Sequence, residues 1–260
     1  MLKAVILDID GVVLLGLTAI EGANQAIDQL RKKGLKIFFL SNNASRSRKS
    51  LCEKLVNAGI EAEESEVYPA SLAAADYVAG KYPGAKVYAI STGGLEEELG
   101  MKGIQVVRDE SADLVVAGFD RTLTYEKIAI AFRAIMKGAK FLATNEDASY
   151  PVENGLMPGA AATVGALRFS TGKKPEVIGK PETYMLEMIL RENRLKKEEV
   201  LVVGDRLDMD IFMANRAGIK SVLVLTGIAS GEDAKTSPEA KPDLVLGNLA
   251  ELPGRIAQFE

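Results

Sequence analysis

Short β-branched runs alternate with longer stretches of helical period along most of the chain, the pattern of parallel βαβ units. The run KAVIL predicts a first strand ending at Asp8, and a helix follows over about 23–33 with Gly34 placed to cap its C-terminus. LKIFFL predicts a second strand ending at Ser41, and a second helix spans about 47–58 before Gly59. These elements make half of a doubly wound sheet.

A third helix, about 70–81, leads through YPG to KVYAI, after which the pattern restarts with the strands QVV, DLVVAG and KFLAT. Helices near 96–101, 125–137 and 160–170 accompany these strands, and Thr124 suits the N-cap of the second. After STGKKP come EVIGKP, a helix near 182–193, the strand VLVVG leading to Asp205, a helix around 211–217, the strands SVLVL and DLVL, and a terminal helix. The fold class expected is α/β: a doubly wound, Rossmann-like parallel-sheet core built from residues 1–80 and 177–260, with residues 81–176 inserted as a smaller α/β cap.

Apolar residues make up 47% of the 260 positions against 26% charged, which excludes a disordered chain. No apolar run approaches the ~18 residues needed to span a bilayer. Asp8 and Asp10 interrupt the only candidate leader, MLKAVILDIDGVVLL, so the expected location is cytoplasmic. A net charge of −4 without long runs of one sign argues against nucleic acid or a membrane surface as partner. Cys52, the single cysteine, lies among Leu51, Leu55 and Ala58 in a helical stretch and is expected to pack in the core.

The chain has no histidine. That removes Ser-His-Asp and Cys-His nucleophiles, histidine-ligated zinc and imidazole acid–base chemistry together. What remains is carboxylates, lysine, hydroxyls, backbone amides and a hard cation such as magnesium or manganese.

Four segments fall at the carboxyl ends of predicted core strands or just beyond: Asp8 and Asp10 in DIDG, Ser41 with Asn42 and Asn43, Lys180 in GKP, and Asp205 through Asp210 in GDRLDMD. In open parallel sheets ligands bind along that edge, so the four are expected to converge on one crevice. Asp8, Asp10, Asp205 and Asp210 gathered against Lys180 alone could not all stay ionised without a counter-ion, and an oxygen-only donor set favours Mg²⁺. Asp8 then suits a nucleophile that forms an aspartyl-phosphate, and Asp10 an acid for the leaving oxygen and a base for the attacking water. Gly11 leaves room beside the phosphate. Ser41 and Lys180 would donate to the phosphoryl oxygens, Asp205 would bind the metal, and Asp210 would hold one of its waters.

DIDGV, SNN, GKP and GDRLDMD, in this order, resemble the four motifs of the haloacid dehalogenase superfamily, and the insertion between SNN and GKP is similar to its class II cap. SNNAS, VVAGFDRTLTYEKI, ATNEDASYP, PGAAATVGAL and VGDRLDMDI resemble the branch of NagD and the p-nitrophenyl phosphatases. The resemblance implies a Mg²⁺-dependent phosphatase of small phosphorylated metabolites, with the backbone carbonyl of Asp10 among the metal ligands. It also implies that Asn145 and Asp147, in a cap loop, help to choose the substrate, and that caps can mediate a homodimer. A carbon–halogen hydrolase would need neither Asp10 nor Asp205, and a receiver domain would be about half this length. A binding protein that has lost turnover has no support from a chain that retains every reacting group.

Overall fold

The computed structural model describes residues 1–152 and 155–259. They form two compact units, one of residues 1–41, 52–68 and 180–259, the other of residues 42–51, 69–152 and 155–179.

The first unit is built on a six-stranded sheet in the order Leu244–Leu246, Lys220–Val224, Val200–Gly204, Ala4–Asp8, Lys36–Ser41, Val67–Pro69. The strand Ala4–Asp8 is buried at every position, as expected of a central parallel strand covered on both faces. It pairs in parallel with Val200–Gly204 on one side and Lys36–Ser41 on the other. Sequence order runs outward in opposite directions from the junction of Ala4–Asp8 with Val200–Gly204, so that junction is the topological switch point of the sheet. The helix Ala23–Lys32 buries Ala23, Ala26, Ile27 and Leu30, one face at helical spacing. It stops where Gly34 takes a positive φ of 84°, a conformation glycine adopts without penalty.

The second unit carries a four-stranded parallel sheet in the order Glu176–Val177, Lys140–Ala143, Leu114–Ala117, Val87–Ile90. Tyr88, Ile90, Val115, Phe141 and Ala143 from its strands pack with Ala131, Ile135, Val164 and Leu167 from the helices Tyr125–Met136 and Ala161–Thr171. Thr124 caps the first of these helices, its hydroxyl accepting the Lys127 N–H at 3.3 Å. Two further strands, Ser149–Val152 and Gly155–Pro158, pair antiparallel.

Three elements depart from the sequence pattern. QVV forms no strand; Val106 makes a single bridge to Val87. EVIGKP yields only Glu176–Val177, which extends the sheet of the second unit instead of the core sheet. The helix Ala70–Lys81, grouped with the core by its position, belongs to the second unit and packs against the helix Gly94–Met101. Its alanines are buried on several sides at once, so no single stripe announces which neighbour it serves. No helix among the described residues is long and apolar enough to cross a membrane.

Candidate active site

Strand register places the acidic and hydroxyl groups of the first unit on one edge. Asp8 ends its strand opposite Leu40, so Ser41 follows at the end of the adjacent strand. On the other side Leu7 lies opposite Val203, and Asp205 leaves the end of that strand after Gly204. Asp8 and Asp205 therefore flank the switch point, where a parallel sheet opens its ligand crevice. Asp8, Ser41, Lys180, Asp205 and Asp210 are all buried.

Lys180 is the cation of this cluster. Its Nζ donates to Asp8 Oδ1 at 2.6 Å and to Asp210 Oδ1 at 2.7 Å. Burial works against the ammonium, but the charges and hydrogen bonds of Asp210 and Asp8 outweigh it and hold its pKa above that of an ordinary lysine. Burial also raises Asp8 well above the usual carboxylate range; Lys180 opposes that rise, while Asp210 and Asp205 add to it. Asp205 is pushed up to about 6, first by burial and then by the charge of Asp210, against the Ile228 N–H and Lys180.

Asp8, Asp205 and Asp210 can each offer a carboxylate oxygen within 4.8 Å of the others. Three buried carboxylates face one buried ammonium, a crowding of acidic groups that a bound cation would relieve. Asp205 Oδ2 accepts the Ile228 N–H at 2.9 Å, whereas its Oδ1 is buried with no hydrogen-bond partner. A buried carboxylate oxygen without a donor is costly unless a cation completes it. The donor set, all oxygen and all acidic, fits a hard divalent ion such as Mg²⁺.

Two glycines make room for Asp205. A Cβ on Gly11, whose φ is +94°, would stand 2.5 Å from Asp205 Oδ2, and one on Gly227 would stand 1.8 Å from the same atom. The Thr226 hydroxyl donates to the Gly11 carbonyl at 2.6 Å and ties the two loops together.

The Asp10 carboxylate is not part of the three-carboxylate group. It pairs instead with Lys54 on the helix Arg48–Asn57, with Nζ 2.9 Å from Oδ1, so the expectation that Lys180 alone faces these acids needs a second cation. Lys54, Thr226 and Gly227 lie outside the four motifs, and only the packing of their elements brings them to the site. Asp208 forms a two-pronged ion pair with Arg206. Asp210 accepts the Arg206 N–H through Oδ2 at 3.2 Å.

The remaining sequence candidates belong to the second unit. Asn43 Oδ1 accepts from the Ser45 N–H and hydroxyl and the Arg46 N–H, which makes it the pivot of a turn. Asn42 Nδ2 donates to Asp147 Oδ2 at 3.1 Å. Asn145 is buried; its Nδ2 donates to the Asn42 carbonyl at 2.7 Å and its Oδ1 accepts the Asp147 N–H at 3.0 Å. The Gly179 N–H donates to the Thr144 carbonyl at 2.8 Å. Loop 144–147 is thus bonded to the residue after Ser41 and to the residue before Lys180.

Haloacid dehalogenase-like hydrolases match residues 5–105, and a second hydrolase family of the same type matches residues 177–252. An acid sugar phosphatase of Staphylococcus aureus is 40% identical over 233 residues, 90% of each chain. The p-nitrophenyl phosphatase from Archaeoglobus fulgidus superposes with a TM-score of 0.91 at 36% identity, covering 97% of this chain and 98% of that one. A glycerol phosphate phosphatase from Mycobacterium tuberculosis, solved in complex with magnesium, also gives 0.91 at 36% identity, over 96% of this chain and 76% of that one. With this sequence likeness, the shared architecture and the acidic switch-point cluster in agreement, the chain belongs to the haloacid dehalogenase-like hydrolases, in the branch of NagD and the p-nitrophenyl phosphatases.

Proposed function

We propose that the protein is a Mg²⁺-dependent phosphatase of small phosphomonoesters that works through an aspartyl-phosphate on Asp8. The observation that carries the proposal is the buried group of Asp8, Asp205 and Asp210 around Lys180, with Asp205 Oδ1 lacking a donor. Relatives named acid sugar phosphatase, glycerol phosphate phosphatase and p-nitrophenyl phosphatase support small esters as the substrate class.

Asp8 attacks phosphorus, the bond from phosphorus to the ester oxygen breaks, and Asp10 gives its proton to the departing alcohol. Water then attacks the phosphorus of the aspartyl-phosphate, Asp10 takes up the water's proton, and inorganic phosphate leaves with Asp8 restored. Ser41 and Lys180 donate to the phosphoryl oxygens, and the hydrogen bond from Lys180 also holds Asp8 in place before attack. Gly11 leaves the backbone open beside the transferred group. Asp8, Asp205, Asp210 and the Asp10 carbonyl would hold Mg²⁺, which supplies positive charge to the phosphoryl oxygens and to the crowded carboxylates. Asn42 and Asn43 form the turn that follows Ser41 in the chain, and Asn145 and Asp147 stand in a loop hydrogen-bonded to Asn42. We assign Asn145 and Asp147 to substrate choice, exerted through the conformation of that loop.

The test is p-nitrophenyl phosphate hydrolysis with and without Mg²⁺. Activity is expected to vanish on chelation with EDTA and to return with added Mg²⁺; undiminished turnover in EDTA would overturn the metal assignment.

A further inference from the structure

Lys54 lies in the helix Arg48–Asn57, a position where lysine ordinarily extends its ammonium into water. Here the side chain is only 10% exposed, and Nζ donates to Asp10 Oδ1 at 2.9 Å. An ammonium so covered is tolerated only when paired. The Asp10 side chain, by contrast, is 43% exposed and stands where the first strand gives way to a turn, followed by Gly11 with a positive φ. A half-exposed carboxylate has room to turn, and proton transfer demands that it lie within hydrogen-bond reach of the ester oxygen.

We propose that Lys54 is a positioning residue for the reaction: by engaging Oδ1 it fixes the Asp10 carboxyl and leaves Oδ2 to exchange the proton with the leaving group. The inference rests on the role given to Asp10 above. In this role Lys54 acts through Asp10, by removing rotational freedom from the group that exchanges the proton.

The signature is a dependence on leaving group. With a good leaving group such as p-nitrophenolate, bond cleavage needs little help from an acid, whereas unsubstituted phenolate needs more. The ratio kcat/KM reports steps through the first irreversible one, here formation of the aspartyl-phosphate, so it isolates this role from the later hydrolysis. The experiment compares kcat/KM for a series of ring-substituted phenyl phosphates in wild type, Lys54→Met and Lys54→Arg, with melting temperatures as the control for folding. Lys54→Met keeps the buried stem and is expected to lose about tenfold more on phenyl phosphate than on p-nitrophenyl phosphate, steepening the dependence on leaving-group acidity. Lys54→Arg, which keeps a cation, is expected to restore most of the difference. Equal losses across the series, or none, would overturn the assignment. If wild type itself turns over none of these esters in Mg²⁺, it is the phosphatase proposal that fails.

Discussion

Gly227 approaches Asp205 so closely that a single methyl group on its α-carbon would lie 1.8 Å from Oδ2, well inside any permitted contact. The same oxygen accepts the N–H of the next residue, Ile228, at 2.9 Å. The loop after the strand Lys220–Val224 thus seats Asp205 by steric exclusion on one side and a hydrogen bond on the other, and directs its unpartnered Oδ1 elsewhere.

Gly227→Ala is therefore expected to displace Asp205 and weaken Mg²⁺ binding by roughly 10- to 100-fold, the usual effect of disturbing the support of a metal ligand. Mg²⁺ activation curves on p-nitrophenyl phosphate measure it. An unchanged half-saturating concentration would show that Asp205 does not hold the metal.

Asp8→Asn is expected to reduce phosphate release by roughly 10⁴-fold or more, because the amide cannot act as nucleophile. Asp210 remains to pair with Lys180, so the variant should stay folded. A rate near that of wild type, in protein shown by mass spectrometry to carry the amide throughout, would remove Asp8 from the nucleophile's role.

The protons on this cluster predict a pH dependence with a definite sign. In metal-free protein Asp205 is pushed up to about 6 and Asp8 is raised as well, so folding favours their protonated forms. The contribution of Asp205 to stability is complete below the ordinary carboxylate pKa of about 4 and is lost as pH rises through about 6, and that of Asp8 has the same sign. Mg²⁺ competes with these protons, so its stabilising effect should be small near about pH 5 and grow toward about pH 7.5. Melting temperatures with and without Mg²⁺ at several pH values measure the trend; a gain that is flat, or largest in acid, would contradict it.

Asn145→Ala removes the donor to the Asn42 carbonyl and the acceptor for the Asp147 N–H. Leaving such groups unpaired costs about 1–3 kcal/mol. Relative kcat/KM across a panel of sugar, glycerol and aryl phosphates is expected to change by more than the rate on p-nitrophenyl phosphate alone. A uniform loss on every substrate would reject a part in substrate choice.

Much of the candidate site's edge can be placed without coordinates, for a physical reason. Central parallel strands are buried on both faces and read as unbroken apolar runs, so VIL before Asp8, IFFL before Ser41 and LVVG before Asp205 mark where each strand ends and its polar residue begins. The absence of histidine then restricts the chemistry to oxygen ligands. Lys54 is not legible because a lysine on a helix looks solvated until the register of that helix is known. The bond from Asn145 to the Asn42 carbonyl is not legible either, because no periodicity records a contact between residues about a hundred positions apart. The helix Ala70–Lys81 stands at the boundary that the sequence leaves open, because small residues on all its sides match either neighbour equally well.

The chain passes between its two units at four places, and two of these are the peptide bonds Ser41–Asn42 and Gly179–Lys180. An engineer who wished to give this enzyme a relative's inserted domain would have to cut and splice beside both side chains assigned to the phosphate. A chimera joined there gives Ser41 and Lys180 new neighbours along the chain, so selectivity and turnover would travel together in such a transplant.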